Sequence, residues 1–326
     1  MEKIRLVHID GKFPNLALMA LSSFFKKQKK TQVHFSRFPF RDLWETEYDL
    51  VLGSQIFQAS SSKVEILKSE FPNAIIGGVG SENPKLTVKD FTGTEEHTLD
   101  YSLYPEFLPS IGFSSRGCRR KCPFCVVPQI EGEIRENLSI EEIWRGTSHP
   151  KKLLLLDNDF FGQPFWEEKS LFIIAGDFHV SLCQGINVRT LTEEQAFLIR
   201  KMQVRDDNFT CRRIYTSWDS VADEKQFFKG ISKLLLAGES PQSIMVFFLT
   251  NFWEAGLTED VWYRFYRLKE VGLRQFPMIY ETKEKHANLE LKQFQSWVIR
   301  RLYFKEDFNH YRNRREKRYE LNASVS

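Results

Sequence analysis

Apolar residues along most of the chain switch between short continuous runs and helix-spaced faces, the pattern of strands interleaved with helices. Residues 4–9 read as a strand, followed by a turn from Asp10 to Asn15 in which Pro14 is placed to open a helix. Leu16, Leu18, Met19, Leu21, Phe24 and Phe25 then recur at helical spacing. Residues 32–36 and 50–54 predict two more strands, 62–71 a helix, and 74–76 a fourth strand running into Gly77-Gly78-Val79-Gly80. Residues 1–92 are therefore expected to form a small doubly wound α/β domain, a fold whose ligands sit at the carboxyl ends of its strands. Residues 93–109, with acids, Gly93 and two prolines, read as a linker.

A second alternating series follows. Strands are expected over 110–114, 153–156, 180–183, 213–216, 244–249 and 276–279, with helices over 140–146, 193–202, 223–236 and 260–271. Six such repeats predict a parallel α/β barrel, or part of one, over residues 110–285, with working residues on the loops after its strands. Residues 286–326 are charged and carry helical but no further strand signals.

Composition narrows the class. A length of 326 residues suits about two domains, and 42% hydrophobic with 27% charged residues excludes a wholly disordered chain. No apolar run reaches the roughly 18–20 residues of a membrane span, and the first residues enter a strand without a signal-peptide core, so no membrane partner and a cytoplasmic location are expected. The net charge of +3 is too small to name a partner. Over residues 298–318, however, eight basic residues stand against three acidic ones, interleaved with Tyr303, Phe304, Phe308 and Tyr311. This basic tail reads first as a solvated helix and second as a nucleic-acid contact.

Cysteine placement changes the picture most. Three of the five cysteines, Cys118, Cys122 and Cys125, fall within eight residues just after the first strand of the second series, in the loop Ser114-Ser115-Arg116-Gly117-Cys118-Arg119-Arg120-Lys121-Cys122-Pro123-Phe124-Cys125. Thiolates are soft ligands that favour iron–sulfur clusters, zinc or monovalent copper. Structural zinc takes four protein ligands, and no fourth Cys or His lies nearby. Three thiolates and one open position fit a 4Fe-4S cluster with one iron left for another ligand. Cys183 and Cys211, far along the chain in apolar strand context, read as buried thiols.

The triplet Cys118, Cys122, Cys125, with Phe124 just before the third cysteine, resembles the signature of the radical S-adenosylmethionine (SAM) enzymes. That resemblance implies that the three cysteines hold a 4Fe-4S cluster whose free iron binds SAM. It also implies a partial (β/α)6 barrel and a reducing partner of flavodoxin or ferredoxin type. Cleavage of SAM would give a 5′-deoxyadenosyl radical that takes a hydrogen from the substrate, leading to rearrangement or another C–H modification. Phe124 would lie beside the adenine. The Gly-Gly-Glu triplet common in relatives after the second strand is replaced by Asp157-Asn158-Asp159.

Polar residues recur where strands end, and Asp157, Gln184, Asn187, Arg189 and Ser217 are the candidates for the SAM and substrate pocket. The first domain resembles the cobalamin-binding domains that precede some radical SAM barrels, yet the ligating Asp-x-His-x-x-Gly pattern is missing and His8-Ile9-Asp10-Gly11 stands there instead. Cobalamin is therefore not expected. The alternatives are a cobalamin-dependent methyltransferase and a nucleic-acid-binding iron–sulfur protein that uses the basic tail. The substrate itself is expected to be a small molecule or a nucleobase-type group.

Overall fold

Strand β1 (Glu2–His8) lies at the centre of the first sheet, and its alternation sends residues to two separate cores. Ile4 and Leu6 pack with Leu18, Met19, Leu21 and Phe25 of helix α1 (Leu16–Lys27) on one face. Val7 and Ile9 face the other side, with Val51, Leu67, Phe71 and Ile76. Burial on both faces is what a parallel sheet flanked by helices requires. The computed structural model describes residues 2–45, 47–94, 98–282 and 287–323, with side chains as far as Arg315 in the last helix. They divide into two units, Met1–Leu108 with Val126–Ile130, and Pro109–Cys125 with Glu131–Ser326.

In the first unit β1 is joined by β2 (Thr31–Ser36), β3 (Leu50–Ser54) and β4 (Ile75–Gly77), all parallel, in the order β2-β1-β3-β4. Helix α2 (Ser61–Glu70) lies between β3 and β4 in the chain, and the short α3 (Lys89–Thr92) follows β4. The order reverses between β1 and β3, so this is a doubly wound sheet with its switch point there. Asn15, not Pro14, caps α1: its side chain accepts from the Leu18 amide at 3.1 Å, which leaves Pro14 one residue before the cap. Leu103 and Tyr104, within the span read as a linker, are buried in the core of this unit. Residues 78–80 lie against the backbone of the loop after β3, where the Gly80 amide donates to Gln55 O at 3.1 Å.

The second unit begins with β5 (Ser110–Gly112). The cysteine segment is then flanked by a short antiparallel pair, β6 (Ser115–Arg116) and β7 (Arg135–Glu136), with the one-turn helix α4 (Val127–Ile130) between them in the chain. After α5 (Ile140–Ile143) come β8 (Lys152–Leu155), α6 (Trp166–Ala175), β9 (His179–Leu182), α7 (Glu193–Lys201) and β10 (Gln203–Val204). The last series is β11 (Ile214–Ser217), α8 (Glu224–Leu236), β12 (Ile244–Thr250), α9 (Glu259–Val271) and β13 (Arg274–Ile279).

The fold is mixed α/β with parallel sheets, and the six expected strands of the second unit are all present. They do not pair as one continuous barrel. One parallel sheet runs β10-β9-β8-β5 and another β11-β12-β13. Between them the pairing is a single parallel bridge, Ile186 with Thr216. Helix α6 and strand β10 were not anticipated: the acidic start of α6, Glu167-Glu168, and the mere two residues of β10 hide both from periodicity.

Helices α10 (Leu289–Ile299) and α11 (Phe308–Ala323) follow β13. Most described aromatics of this segment are buried, although Phe304 is exposed. Phe294, Trp297, Tyr303, Phe308 and Tyr311 belong to the main hydrophobic core of this unit, together with Phe265 of α9. Of the two isolated cysteines, Cys211 is exposed and Cys183 half-buried, so neither is the fully buried thiol that strand context suggested.

Candidate functional site

The tightest grip on the chain entering the cysteine loop comes from the residues just after β8. Asp157, 3% exposed, accepts from the amides and hydroxyls of both Ser114 and Ser115, with Ser114 N at 3.1 Å and the two Oγ atoms at 2.7 Å. Burial pushes the Asp157 carboxyl up, while these four donors pull it the other way. Lys169 of α6 donates to Ser114 O at 2.7 Å, and Gln163 donates to Ser114 Oγ at 3.1 Å. The chain is thus fixed at the point where it leaves β5 for the cysteines.

Asn158 and Asp159 continue the grip. Asn158 donates to Glu131 Oε2 at 3.1 Å, and the same oxygen accepts the Gly117 amide at 2.8 Å. Glu131 also pairs with Arg116, whose guanidinium lies 3.9 Å from the Phe113 ring centroid. Asp159, 1% exposed, takes Arg119 through Nε at 2.7 Å and Nη2 at 3.1 Å, a fork-to-fork pair. A Cβ on Gly162 would fall 2.3 Å from Asp159 Oδ2 and 2.4 Å from Arg119 Nε, so this pair exists because residue 162 has no side chain. Gly117, next to the first cysteine, has φ +79° and no room for a Cβ, which would meet Glu133 O at 2.2 Å.

The three cysteines are all half-buried. The Arg120 amide donates to Cys118 Sγ at 3.4 Å, and the Cys125 amide to Cys122 O at 3.0 Å, so the loop curls on itself. Burial pushes the Cys118 thiol up, and the nearby Asp159 carboxylate and the two other thiols push the same way. Among the described residues, no three His, Cys, Asp or Glu side chains stand close enough to hold one metal ion. A single ion needs its donors about 2.3 Å from one point, whereas a cubane takes each thiolate on a different iron. The donor set fits the second: three half-buried thiols within electrostatic reach of one another on one loop, with no fourth cysteine on that loop.

A second layer of contacts surrounds the loop. Arg120 and Arg189 both reach Asp223 Oδ2, at 3.4 and 2.6 Å, and Arg119 touches Thr190 Oγ1 at 3.3 Å. The Arg119 and Arg120 charges are thereby matched by carboxylates within the protein, and both Arg119 and Lys121 are exposed. Arg189 Nε donates to Asn187 Oδ1 at 3.0 Å, and Asn187 Nδ2 is buried with no partner. Ser217 bonds to the buried Asp219, whose carboxyl burial pushes up. Asp219 also accepts the Leu249 amide at 3.0 Å, and the fully buried Arg264 donates to Trp218 O and Leu249 O, tying the ends of β11 and β12 together. Phe124 meets Phe252 edge to face at 5.5 Å, and Phe252 meets Tyr280 at 4.9 Å. Asn251, before Phe252, is held at φ +65° by bonds to Tyr280 O and from the Gly256 amide.

Of the residues expected at the site, Cys118, Cys122, Cys125, Phe124, Asn187 and Arg189 come together at this end of the strands. Asp157 is present but spends its carboxylate on Ser114 and Ser115. Ser217 sits beneath, on Asp219. Gln184 is exposed and takes no part in the network. Sequence reading missed Glu131, Asp159 as the partner of Arg119, Asp223 and Phe252. Each is remote in the chain from the group it serves, so no local pattern marks it. In the first unit, His8 and Asp10 are engaged internally. His8 Nδ1 and the Tyr104 hydroxyl stand 3.1 Å apart, the Asn15 amide donates to that hydroxyl, and Asp10 accepts the Ile56 and Phe57 amides. No helix among the described residues is long and apolar enough to cross a membrane. No protein-family model matches the chain, and no curated protein matches it in sequence.

Proposed function

We propose that the chain is a radical SAM-type enzyme acting at a substrate C–H bond, with Cys118, Cys122 and Cys125 as the ligands of a 4Fe-4S cluster. The observation that carries this reading is the loop itself: three half-buried thiols on one turn, fastened from Ser114 to Arg119 by three consecutive residues at the end of the neighbouring strand. When bound, the cluster would supply the electron that breaks SAM into methionine and a 5′-deoxyadenosyl radical. The chain's own part is placement. Asp157, Asn158 and Asp159 hold the loop in one conformation, Arg189 and Asn187 offer donors beside it, and Phe124 with Phe252 offers an aromatic wall suited to adenine.

The test is anaerobic reconstitution of the full chain with iron and sulfide, followed by metal analysis and incubation with SAM and a reductant. The reading expects about four irons per chain and release of 5′-deoxyadenosine, both lost in Cys122→Ser. Zinc in the purified protein, or iron that Cys122→Ser retains, would overturn it.

A further inference from the structure

At the other end of the same strands, three arginines gather without a carboxylate. Arg213 directly precedes β11, Arg274 is the first residue of β13, and Arg301 follows α10. Arg213 Nη1 and Arg274 Nε both donate to one carbonyl, Gln242 O, at 2.7 and 3.1 Å, which brings two guanidinium groups side by side. Arg213 is 6% exposed, and its Nη2 reaches only the Cys211 sulfur, at 3.4 Å. Arg301 Nε is buried with no hydrogen-bond partner, its guanidinium lies 5.0 Å from the Phe304 ring centroid, and the residue is held at φ +56°, a strained backbone for a side chain of this size. Burial, then the charges of Arg213 and Arg301, hold Arg274 below its ordinary value. None of the three forms an ion pair among the described residues, whereas Arg189, Arg212 and Arg264 of the same unit each have a carboxylate.

Like charges crowded into a partly buried place are costly unless an opposite charge joins them. Guanidinium forks bind carboxylate and phosphate oxygens in pairs, and a phosphate group offers oxygens enough for several forks at once. We infer that Arg213, Arg274 and Arg301 form a binding site for a phosphate group, at the amino-terminal ends of β11 and β13 and apart from the cysteine loop. The site does not depend on a cluster being present.

The shared chemistry is the phosphate oxyanion, carried either by a small molecule or by a polynucleotide backbone. Thermal unfolding and calorimetric titration of the full chain would be run with inorganic phosphate, with a short single-stranded RNA, and with sodium chloride at matched ionic strength. Phosphate should raise the melting temperature where chloride does not. Arg274→Gln and Arg301→Gln should each weaken phosphate about tenfold or more, while Lys225→Gln on the exposed face of α8 leaves it unchanged. Binding of phosphate but not RNA assigns a small ligand; RNA affinity that falls with salt and is lost in Arg301→Gln assigns a backbone phosphate. Phosphate no better than chloride with the wild-type chain would overturn the site, whether or not the variants fold. Equal phosphate affinity in Arg274→Gln, Arg301→Gln and wild type would also overturn it.

Discussion

Asp159 grips Arg119 with both carboxylate oxygens, at 2.7 and 3.1 Å, across the forty residues that separate the end of β8 from the cysteine loop. The acid is almost fully buried and the arginine partly exposed, so the pair is neither a surface ion pair nor a wholly desolvated one. Asp159→Ala is expected to cost about 2 kcal/mol, between those two limits, and to lower the melting temperature by about 4–8 °C. Iron bound after reconstitution should fall with it, because Arg119 neighbours Cys118. Thermal melts and iron analysis on the same preparation check both effects.

Gly117 sets the direction in which the chain enters Cys118. Its φ of +79° and the backbone oxygen of Glu133, 2.2 Å from where a Cβ would stand, leave no place for alanine. Gly117→Ala should lose at least ~2 kcal/mol and iron binding together. The contrast is Gly132→Ala, which meets no atom within 4 Å and carries only the cost of φ +75°. Denaturant midpoints separate the two variants.

Phe124 sits half-buried against Phe252 rather than in the core. Phe124→Ala should leave the iron content unchanged and weaken SAM by about tenfold, the loss of one aromatic–base contact. Equilibrium binding to the reconstituted protein measures it, and unaltered affinity would remove Phe124 from the adenine wall.

His8 is buried beneath the end of β1, and burial followed by the Arg37 charge holds its imidazole below the ordinary 6.5, against the opposing pull of Asp10. The unfolded chain therefore takes up a proton below about pH 6.5 that the folded chain resists. Stability should fall as pH drops through that value. Urea midpoints between pH 7.5 and 5 should slope less in His8→Gln than in the wild type.

Asp100 behaves in the opposite sense. Burial raises its carboxyl, but Lys26, Ser22 and Ser102 outweigh that and bring it down to about 2. Its contribution is present above the unfolded carboxylate value and fades as pH falls from about 4 to 2. The side chain is partly exposed, so the effect is about 1 kcal/mol after screening. Asp100→Asn should flatten the acid limb of the unfolding curve by that amount.

Much of the architecture could be read in advance because periodicity reports burial. The runs at 50–54, 153–156 and 244–249 are strands for the reason their composition suggests: both faces are covered. The triplet of cysteines was legible because its spacing is local. What holds the triplet was not. Asp157-Asn158-Asp159 reads in sequence as a row of groups facing a ligand, yet all three turn back onto the protein, to Ser114 and Ser115, to Glu131 and to Arg119. Asp223 looked like a helix start and is also the shared acceptor of two arginines. The basic tail misled in the same way: its charges are plain in the sequence, whereas the burial of Tyr303, Phe308 and Tyr311 depends on where α9 and α10 lie.

Trp297 donates its indole N–H to Glu306 O at 3.1 Å, and Gln295 reaches Pro277 O on β13 at 2.8 Å, so α10 is fastened both to the last strand and to the segment that leads into α11. Shortened versions of the protein that end before these residues would bare the aromatic interior of the second unit and aggregate rather than report a missing contact. Whether the carboxyl-terminal charges meet nucleic acid is better asked by changing outward-facing arginines such as Arg300 one at a time, which leaves that seal intact.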